Sequence, residues 1–291
     1  MQSTNAIEIR GLSKIYPRFQ LGPLDLTVPG GAIYGLVGPN GAGKTTTLDL
    51  IFGLGLPESG EIRVLGYDHR EHEVDMKLAA AYVSPQTSYA TWKYVRSAIQ
   101  FIRAFYPDWD QDYCDNLLKR FNIDPEEKTA ALSLGAATKL RLALALARRP
   151  RVLIMDEPTI GLDALSKKEL FAELLALMAD EQRTVLISSH NLVDLERFTD
   201  HIGVIHEGRL LVEGRTDQLL ETHRQVSFTL SGAPPPGARL VERDGDRQHV
   251  LTDSADQYRQ ALDDCGATGI SVQPVTLEEL FAGLVEVQDR D

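Results

Sequence analysis

Cysteine is scarce in this chain. Cys114 and Cys265 are the 2 cysteines in 291 residues, far apart and without the close spacing of a metal site. Neither a disulfide framework nor a zinc centre is expected, and both read as reduced thiols of a cytosolic protein. Long apolar runs are missing too. No stretch approaches the roughly 20 residues that a membrane-spanning helix needs, so any work at a membrane is expected from outside the bilayer. The start, Met1-Gln2-Ser3-Thr4-Asn5, lacks a basic segment followed by an apolar one, and no signal peptide is expected. Positive charge is in short supply, with 30 Lys+Arg against 42 Asp+Glu and a formal net charge of -12. A phosphate backbone demands a basic face, so no nucleic-acid partner is expected. The small basic clusters at Arg148-Arg149 with Arg151 and at Lys167-Lys168 read as solvated helix ends. Internal repeats and low-complexity runs are also lacking. What remains is an ordinary globular composition, 43% hydrophobic and 25% charged, in a length that suits about two domains with buried cores.

The most informative stretch is Gly38-Pro39-Asn40-Gly41-Ala42-Gly43-Lys44-Thr45, followed by Thr46. An apolar run, Ile33–Val37, precedes it and a helical pattern follows, which is the strand–loop–helix setting of a P-loop. Glycines let the backbone curl so that its N–H groups converge, and the helix start adds about half a positive charge. Lys44 would reach the β- and γ-phosphates, and the Thr45 hydroxyl would ligate Mg²⁺. The stretch therefore reads as a nucleoside triphosphate site.

Taken in order, the chain reads as strands at Ala6–Ile15, Leu24–Val28, Ile33–Val37, Glu61–Leu65 and Ala81–Val83. Helical spacing then runs from about Thr87 to Ala131, broken at Pro107, with Asp108 or Asp110 as the cap of the second helix. Ser133 opens a helix through Ala147. Apolar strands Val152–Met155 and Val185–Ile187 flank a helix at Lys167–Met178. A hairpin over His201–Val212 and a short helix near Asp217–Glu221 follow. From Gln225 the order is three strands, a helix (Asp256–Cys265), a strand and a helix (Leu277–Val287). Ala233–Gly237 is read as a loop joining two of those strands. Unbroken apolar strands alternating with helices imply a mostly parallel sheet covered on both faces. Ligands bind at the carboxyl ends of such strands, where this sequence carries Gly38–Thr45, Asp156-Glu157 and Ser188-Ser189-His190.

From roughly Ala6 to Leu220 the chain resembles the ATP-binding cassette family. Gly38–Thr45 matches Walker A, Gln86 stands at the Q-loop, and Leu132-Ser133-Leu134-Gly135-Ala136 occupies the signature position, with Arg141 downstream. Asp156-Glu157-Pro158 matches Walker B, Gly161-Leu162-Asp163 the D-loop, and His190 the switch histidine. Phe105–Asp110 and the tail Val275–Phe281 resemble the separately encoded ATPase subunits of bacterial exporters. The resemblance implies an α/β fold, a P-loop cassette with a mostly parallel core sheet, an antiparallel β subdomain and a helical signature subdomain at about 87–148. The cassette is expected at 1–222, and the strand and helix order beyond it reads as a separate small C-terminal α+β domain at 223–291.

The same resemblance implies ATP and Mg²⁺ as ligands. Asp156 would hold Mg²⁺ with Thr45, and Gln86 would ligate Mg²⁺ or the water. Glu157 would polarise the attacking water or complete the Mg²⁺ shell, and His190 would bond the γ-phosphate and hold Glu157. Tyr16 would stack on adenine, or fill the core at a strand end. The other histidines, such as His69 and His206, read as ordinary. The signature departs from L-S-G-G-Q at Leu134 and Ala136. Ser133 and Gly135 remain to serve, with Asp163, the ATP of an opposing subunit across a dimer interface, although Ser133 is also a good N-cap. Aromatics cluster before the signature. At least half are expected to be core, with Tyr89, Trp92 and Tyr94 as the docking surface for a membrane partner. The implied function is the ATP-hydrolysing subunit of an exporter, a homodimer or heterodimer on the cytoplasmic face of the membrane beside a transmembrane permease. The rivals are a soluble cassette ATPase and a regulatory nucleotide switch.

Overall fold

The computed structural model describes residues 5–179 and 183–285. At its centre lies a six-stranded sheet in the order β10-β9-β3-β8-β7-β6. Its members are β3 (Ile33–Val37), β6 (Ala80–Val83), β7 (Val152–Asp156), β8 (Thr184–Ser189), β9 (His201–His206) and β10 (Arg209–Arg215). All neighbours are parallel except β9 with β10, which form a hairpin. Strands β3, β7 and β8 are buried at every position. That explains why they read as continuous apolar runs rather than alternating ones.

A second, antiparallel sheet has the order β2-β1-β4-β5 and is built from β1 (Asn5–Tyr16), β2 (Phe19–Pro29), β4 (Ser59–Val64) and β5 (Tyr67–Asp68). Its inward residues, among them Ile7, Ile9, Leu24, Leu26 and Ile62, share one core with Tyr34, Leu36 and Leu48. Strand β2 starts five residues before the expected Leu24. The pair Gly22-Pro23 punctuates the sequence like a turn, yet here it is absorbed as an irregularity of the β1–β2 ladder. Gly22 has φ of 83°, and a Cβ there would lie 1.9 Å from the Leu12 carbonyl oxygen.

Helices cover the central sheet: α1 (Lys44–Ile51), α2 (Glu73–Ala79), α3 (Val95–Arg103), α4 (Gln111–Arg120), α5 (Leu134–Leu146), α6 (Ala164–Met178), α7 (Leu192–Glu196) and α8 (Thr216–Thr222). Their starts follow the capping residues. Asp110, not Asp108, caps α4 by accepting from Tyr113 N, Ser133 caps α5 and Asp163 caps α6. The helical pattern expected from Thr87 begins only at Val95, after a turn segment. Elements α2, α7 and β5 were not anticipated, since each is too short to show a period.

A third sheet, order β12-β13-β11-β14, is wholly antiparallel and contains β11 (Arg224–Thr229), β12 (Arg239–Asp244), β13 (Arg247–Thr252) and β14 (Thr268–Pro274). Helix α9 (Ala255–Asp264) covers one face with Tyr258 and Leu262 against Val226, Phe228 and Val250. Helix α10 (Leu277–Val285) turns back towards the central body. Its Leu277, Leu280 and Leu284 join the main core, and Leu277 N donates to Glu196 Oε2 at 2.8 Å. The expected last residue of this helix, Val287, lies outside the described residues. Among the described residues no helix is long and apolar enough to cross a membrane.

Candidate functional site

The carboxyl edge of the central sheet gathers the polar ends of β3, β7 and β8. After Val37 the chain curls through Gly38–Gly43 and enters α1 at Lys44. Glycine is required at both ends of the curl. A Cβ on Gly38 would stand 2.2 Å from Ile205 O, and Gly43 holds φ of 110° with Phe19 and Leu21 side chains 2.9 Å from where its Cβ would be. The loop is tied to its surroundings by Ala42 N to Pro39 O at 3.2 Å and by Gly208 N to Ala42 O at 2.9 Å. The turn of the β9–β10 hairpin thus buttresses the curl from behind.

Inside the curl the Lys44 ammonium is buried. It donates to Gly38 O at 2.8 Å and Pro39 O at 3.2 Å, and its Nζ lies 3.2 Å from Glu157 Oε1. The other Glu157 oxygen, Oε2, is 2.8 Å from His190 Nδ1. Lysine, carboxylate and imidazole therefore form one line across the ends of β3, β7 and β8. Glu157 itself is buried and has φ of 45°. A glutamate held there costs on the order of 1–3 kcal/mol in backbone strain, and the surrounding bonds fix it in place. Next to it, Thr45 Oγ1 donates to Asp156 Oδ2 at 2.8 Å, while Ser188 Oγ donates to Asp156 Oδ1 at 2.6 Å and accepts from Glu157 N at 3.0 Å.

A cavity of about 470 Å³ opens over this line, walled by Arg18, Phe19, Asn40, Gly41, Thr45, Thr46 and Glu157. Arg18 and Phe19 were not expected there. Tyr16 does not line the cavity. It is 44% exposed and stacks behind Phe19, with ring centroids 6.5 Å apart. The tight turn at Pro17-Arg18 sets Tyr16 opposite Phe19 in the β1–β2 ladder, and it is Phe19 that faces inward.

Comparisons with known proteins give the family. A family model described as "ABC transporter" matches residues 21–160. The chain is 30% identical over 282 residues to the ABC transporter ATP-binding protein YtrB of Bacillus subtilis (strain 168), covering 94% of this chain and 96% of that one. It is 34% identical over 230 residues to the bacitracin transport ATP-binding protein BcrA of Bacillus licheniformis, covering 77% and 75%. The chain belongs to the ATP-binding proteins of ABC transporters. It is accordingly a nucleotide-binding ATPase subunit of a transporter. A solved ATP-binding subunit of an ABC transporter superposes with a TM-score of 0.68 at 27% identity, covering 74% of this chain and 92% of that one. A nucleotide-free ATP-binding cassette, at 21% identity and a TM-score of 0.62, shares the fold.

In this ABC subunit the remaining expected site residues lie apart from the cavity. Gln86 follows β6, exposed, with its N–H donated to Ser84 Oγ at 3.2 Å. Ser133 Oγ accepts from Ala136 N at 3.2 Å, and Asp163 Oδ1 accepts from Ser166 N at 2.7 Å. Ser133, Gly135 and Asp163 do not wall the cavity of their own chain. On α1, burial raises the Asp49 carboxyl above its ordinary value; the bond from Tyr82 opposes the rise and the nearby Asp156 charge adds to it.

Tyr82 also reaches a second hollow, of about 230 Å³, between α3 and α5, walled by Tyr89, Phe101, Phe105, Tyr106, Arg141 and Arg148 among others. Trp92 leans on Phe101 with ring centroids 4.2 Å apart, so both extend the rim. Tyr94 is not part of it. The Tyr94 ring lies under the Arg96 guanidinium at 4.6 Å, at the N-cap of α3. Tyr89, Trp109 and Tyr113 pack against the main core while Phe101 and Phe105 are exposed, so three of the eight clustered aromatics serve the core rather than the expected half or more.

The fully buried Ser188 supplies a direct check on the geometry. Ser188→Ala leaves Asp156 Oδ1 without its donor and costs about 1–3 kcal/mol of stability, readable by chemical denaturation. It is expected to lower ATP turnover about tenfold, since each 1.4 kcal/mol of lost positioning is a factor of ten in rate.

Proposed function

We propose that two copies of this chain, or one copy and a homologous partner, close on two ATP molecules and thereby drive a separately encoded membrane permease that exports its cargo. The observation that carries the reading is the line Lys44–Glu157–His190 beside the Thr45–Asp156 pair. ATP hydrolysis at such a line is mostly positioning and charge neutralisation. The Lys44 ammonium would exchange the Gly38 and Pro39 carbonyls for phosphate oxygens. Glu157, released from Lys44, would take the proton of the attacking water, with His190 holding its other oxygen. The hydroxyl of Thr45 and the carboxylate of Asp156 form a hard-oxygen pair suited to Mg²⁺, which keeps most of its shell as water and phosphate. Mg²⁺ would neutralise charge on the phosphate oxygens.

Phe19 and Arg18 would meet the base and sugar side of the nucleotide, with Tyr16 stacked behind. Gln86 would report on γ-phosphate from the neighbouring strand end. Ser133, Gly135 and Asp163 would complete the site of the opposing copy. Export is supported by a relative whose name states it: the Nod factor export ATP-binding protein I of Rhizobium johnstonii (strain DSM 114642 / LMG 32736 / 3841) is 29% identical over 307 residues, covering 96% of this chain and 94% of that one. On this reading residues 1–222 are the nucleotide-binding unit, residues 223–291 an accessory one, and the chain sits on the cytoplasmic face of the membrane through its permease.

The hollow beside α5 would receive a cytoplasmic helix of that permease, with Tyr89 in its wall and Trp92 on its rim. Trp92→Ala is expected to weaken co-purification with the permease by about 10–100-fold in affinity, as for an aromatic anchor at an interface. Nucleotide affinity should not change. Undiminished co-purification would move the docking surface elsewhere.

A further inference from the structure

The signature departs from the usual pattern at Leu134, and the structure shows what that side chain touches. Leu134 is the first residue of α5, directly after the capping Ser133, and is 52% exposed. It lies over the backbone of Gly161, where φ is 75° and a Cβ would stand 2.4 Å from Leu134 Cδ2 and 2.7 Å from Cγ. A side chain at position 161 would therefore have to displace the Leu134 side chain.

Both segments are firmly held on their far sides. The turn bearing Gly161 is tied back to Glu157, directly after β7, by Ile160 N to Glu157 O at 3.2 Å, and is closed on itself by Leu162 N to Thr159 O at 3.2 Å. On the helix side, Thr138 Oγ1 donates to Leu134 O at 3.0 Å and accepts from Arg141 Nη1 at 3.3 Å. Arg141 in turn donates through Nε to Thr87 O, next to Gln86, and walls the aromatic hollow. Burial lowers its guanidinium from the usual value. A contiguous chain of contacts therefore runs from the hollow through Arg141, Thr138 and Leu134 to the turn that starts at Glu157. The Leu134–Gly161 step is its one junction without a hydrogen bond.

We propose that Leu134 is a positioning residue that, by resting on Gly161, fixes the spacing between Ser133 and Glu157 of the same chain. The inference rests on the two-copy reading, in which that Ser133 serves one nucleotide and that Glu157 the other. Leu134 then makes the signature segment and the Glu157 turn move as one body, so closure on one ATP bears on the geometry of the second site. A bare glycine at position 134 would leave the two segments free to shift independently.

The test is a double-mutant cycle on ATP-driven dimerisation, read by sedimentation of the full chain in a Glu157→Gln background with ATP and Mg²⁺. Leu134→Ala is expected to raise the ATP concentration for half-dimerisation about tenfold. Leu134→Met, which refills the contact, stays within about threefold of the parent. Gly161→Ala, which pushes Leu134 away, is impaired more than Leu134→Ala. The double variant is no worse than Gly161→Ala alone, because the clash has gone. ADP affinity by calorimetry is unchanged throughout, since neither residue walls the cavity. Equal dimerisation of Leu134→Ala and the parent overturns the proposal, as do penalties that simply multiply in the double variant. If Gly161→Ala fails to fold, the contrast of Leu134→Ala with Leu134→Met decides alone. A parent chain that stays monomeric at saturating ATP removes the two-copy reading and the proposal with it, an outcome distinct from a dimer indifferent to Leu134.

Discussion

Lys44→Ala is expected to weaken ATP binding by on the order of 10²- to 10³-fold, measured by isothermal titration calorimetry on the purified chain. The size follows from where the ammonium sits. It is buried within the glycine curl, with two carbonyls and the Glu157 carboxylate as its partners. Truncating one member of a buried, hydrogen-bonded charge pair costs about 2–5 kcal/mol, and each 1.4 kcal/mol is a factor of ten in affinity. Two effects act together here. The phosphates lose a charged donor, and the buried Glu157 loses the cation that offsets its own charge in the free chain. The second effect gives a further signature: Lys44→Ala lowers folding stability even without nucleotide, whereas a lysine that only met phosphate would leave it unchanged.

Glu157→Gln is expected to lower steady-state ATP hydrolysis by about 10²- to 10⁴-fold, the usual contribution of a positioned general base. ATP binding is retained. The amide is nearly isosteric, and the bonds from Glu157 N to Ser188 Oγ and Ser188 O do not involve the carboxylate. The left-handed backbone at this position is no more strained for glutamine than for glutamate. A slowed enzyme that still binds ATP accumulates as the ATP-bound dimer, visible by size-exclusion chromatography with light scattering. Hydrolysis at the parent rate would take the base role from Glu157 and leave it as part of the Mg²⁺ surroundings. His190→Ala separates the two cases further, because among the described residues the bond its ring makes is to Glu157 Oε2. If Glu157 is the base, loss of His190 lowers turnover much more than it lowers ATP affinity.

How much of this was legible beforehand depended on how local each feature is along the chain. The glycine curl, the buried Lys44 and the flanking β3 and α1 are contiguous in sequence, so composition and spacing announced them. The meeting of Thr45, Asp156, Glu157 and His190 was legible at one remove. Apolar strands imply a parallel sheet, and a parallel sheet sends all strand ends to one edge, which the observed order β3-β8-β7 bears out. What escaped notice was set by sheet register and by side-chain volume. The expected strands stop at Ile15 and resume at Leu24, so Arg18 and Phe19 fall in the gap between them, and Tyr16 is the residue expected at the base. Tyr94 looked equivalent to Tyr89 and Trp92, yet at the N-cap of α3 its ring lies under the Arg96 guanidinium and lines no part of the hollow. The fit of Leu134 over Gly161 joins residues 27 apart in number, and no spacing rule encodes it.

The account stands most directly on one structure: a closed assembly of this chain with a non-hydrolysable ATP analogue and Mg²⁺. It predicts the γ-phosphate in the curl of one copy, at Lys44, within hydrogen-bond distance of Ser133 from the opposing copy. A closed assembly in which Ser133 is remote from every γ-phosphate would contradict it, even with the analogue seated on Lys44 and Thr45.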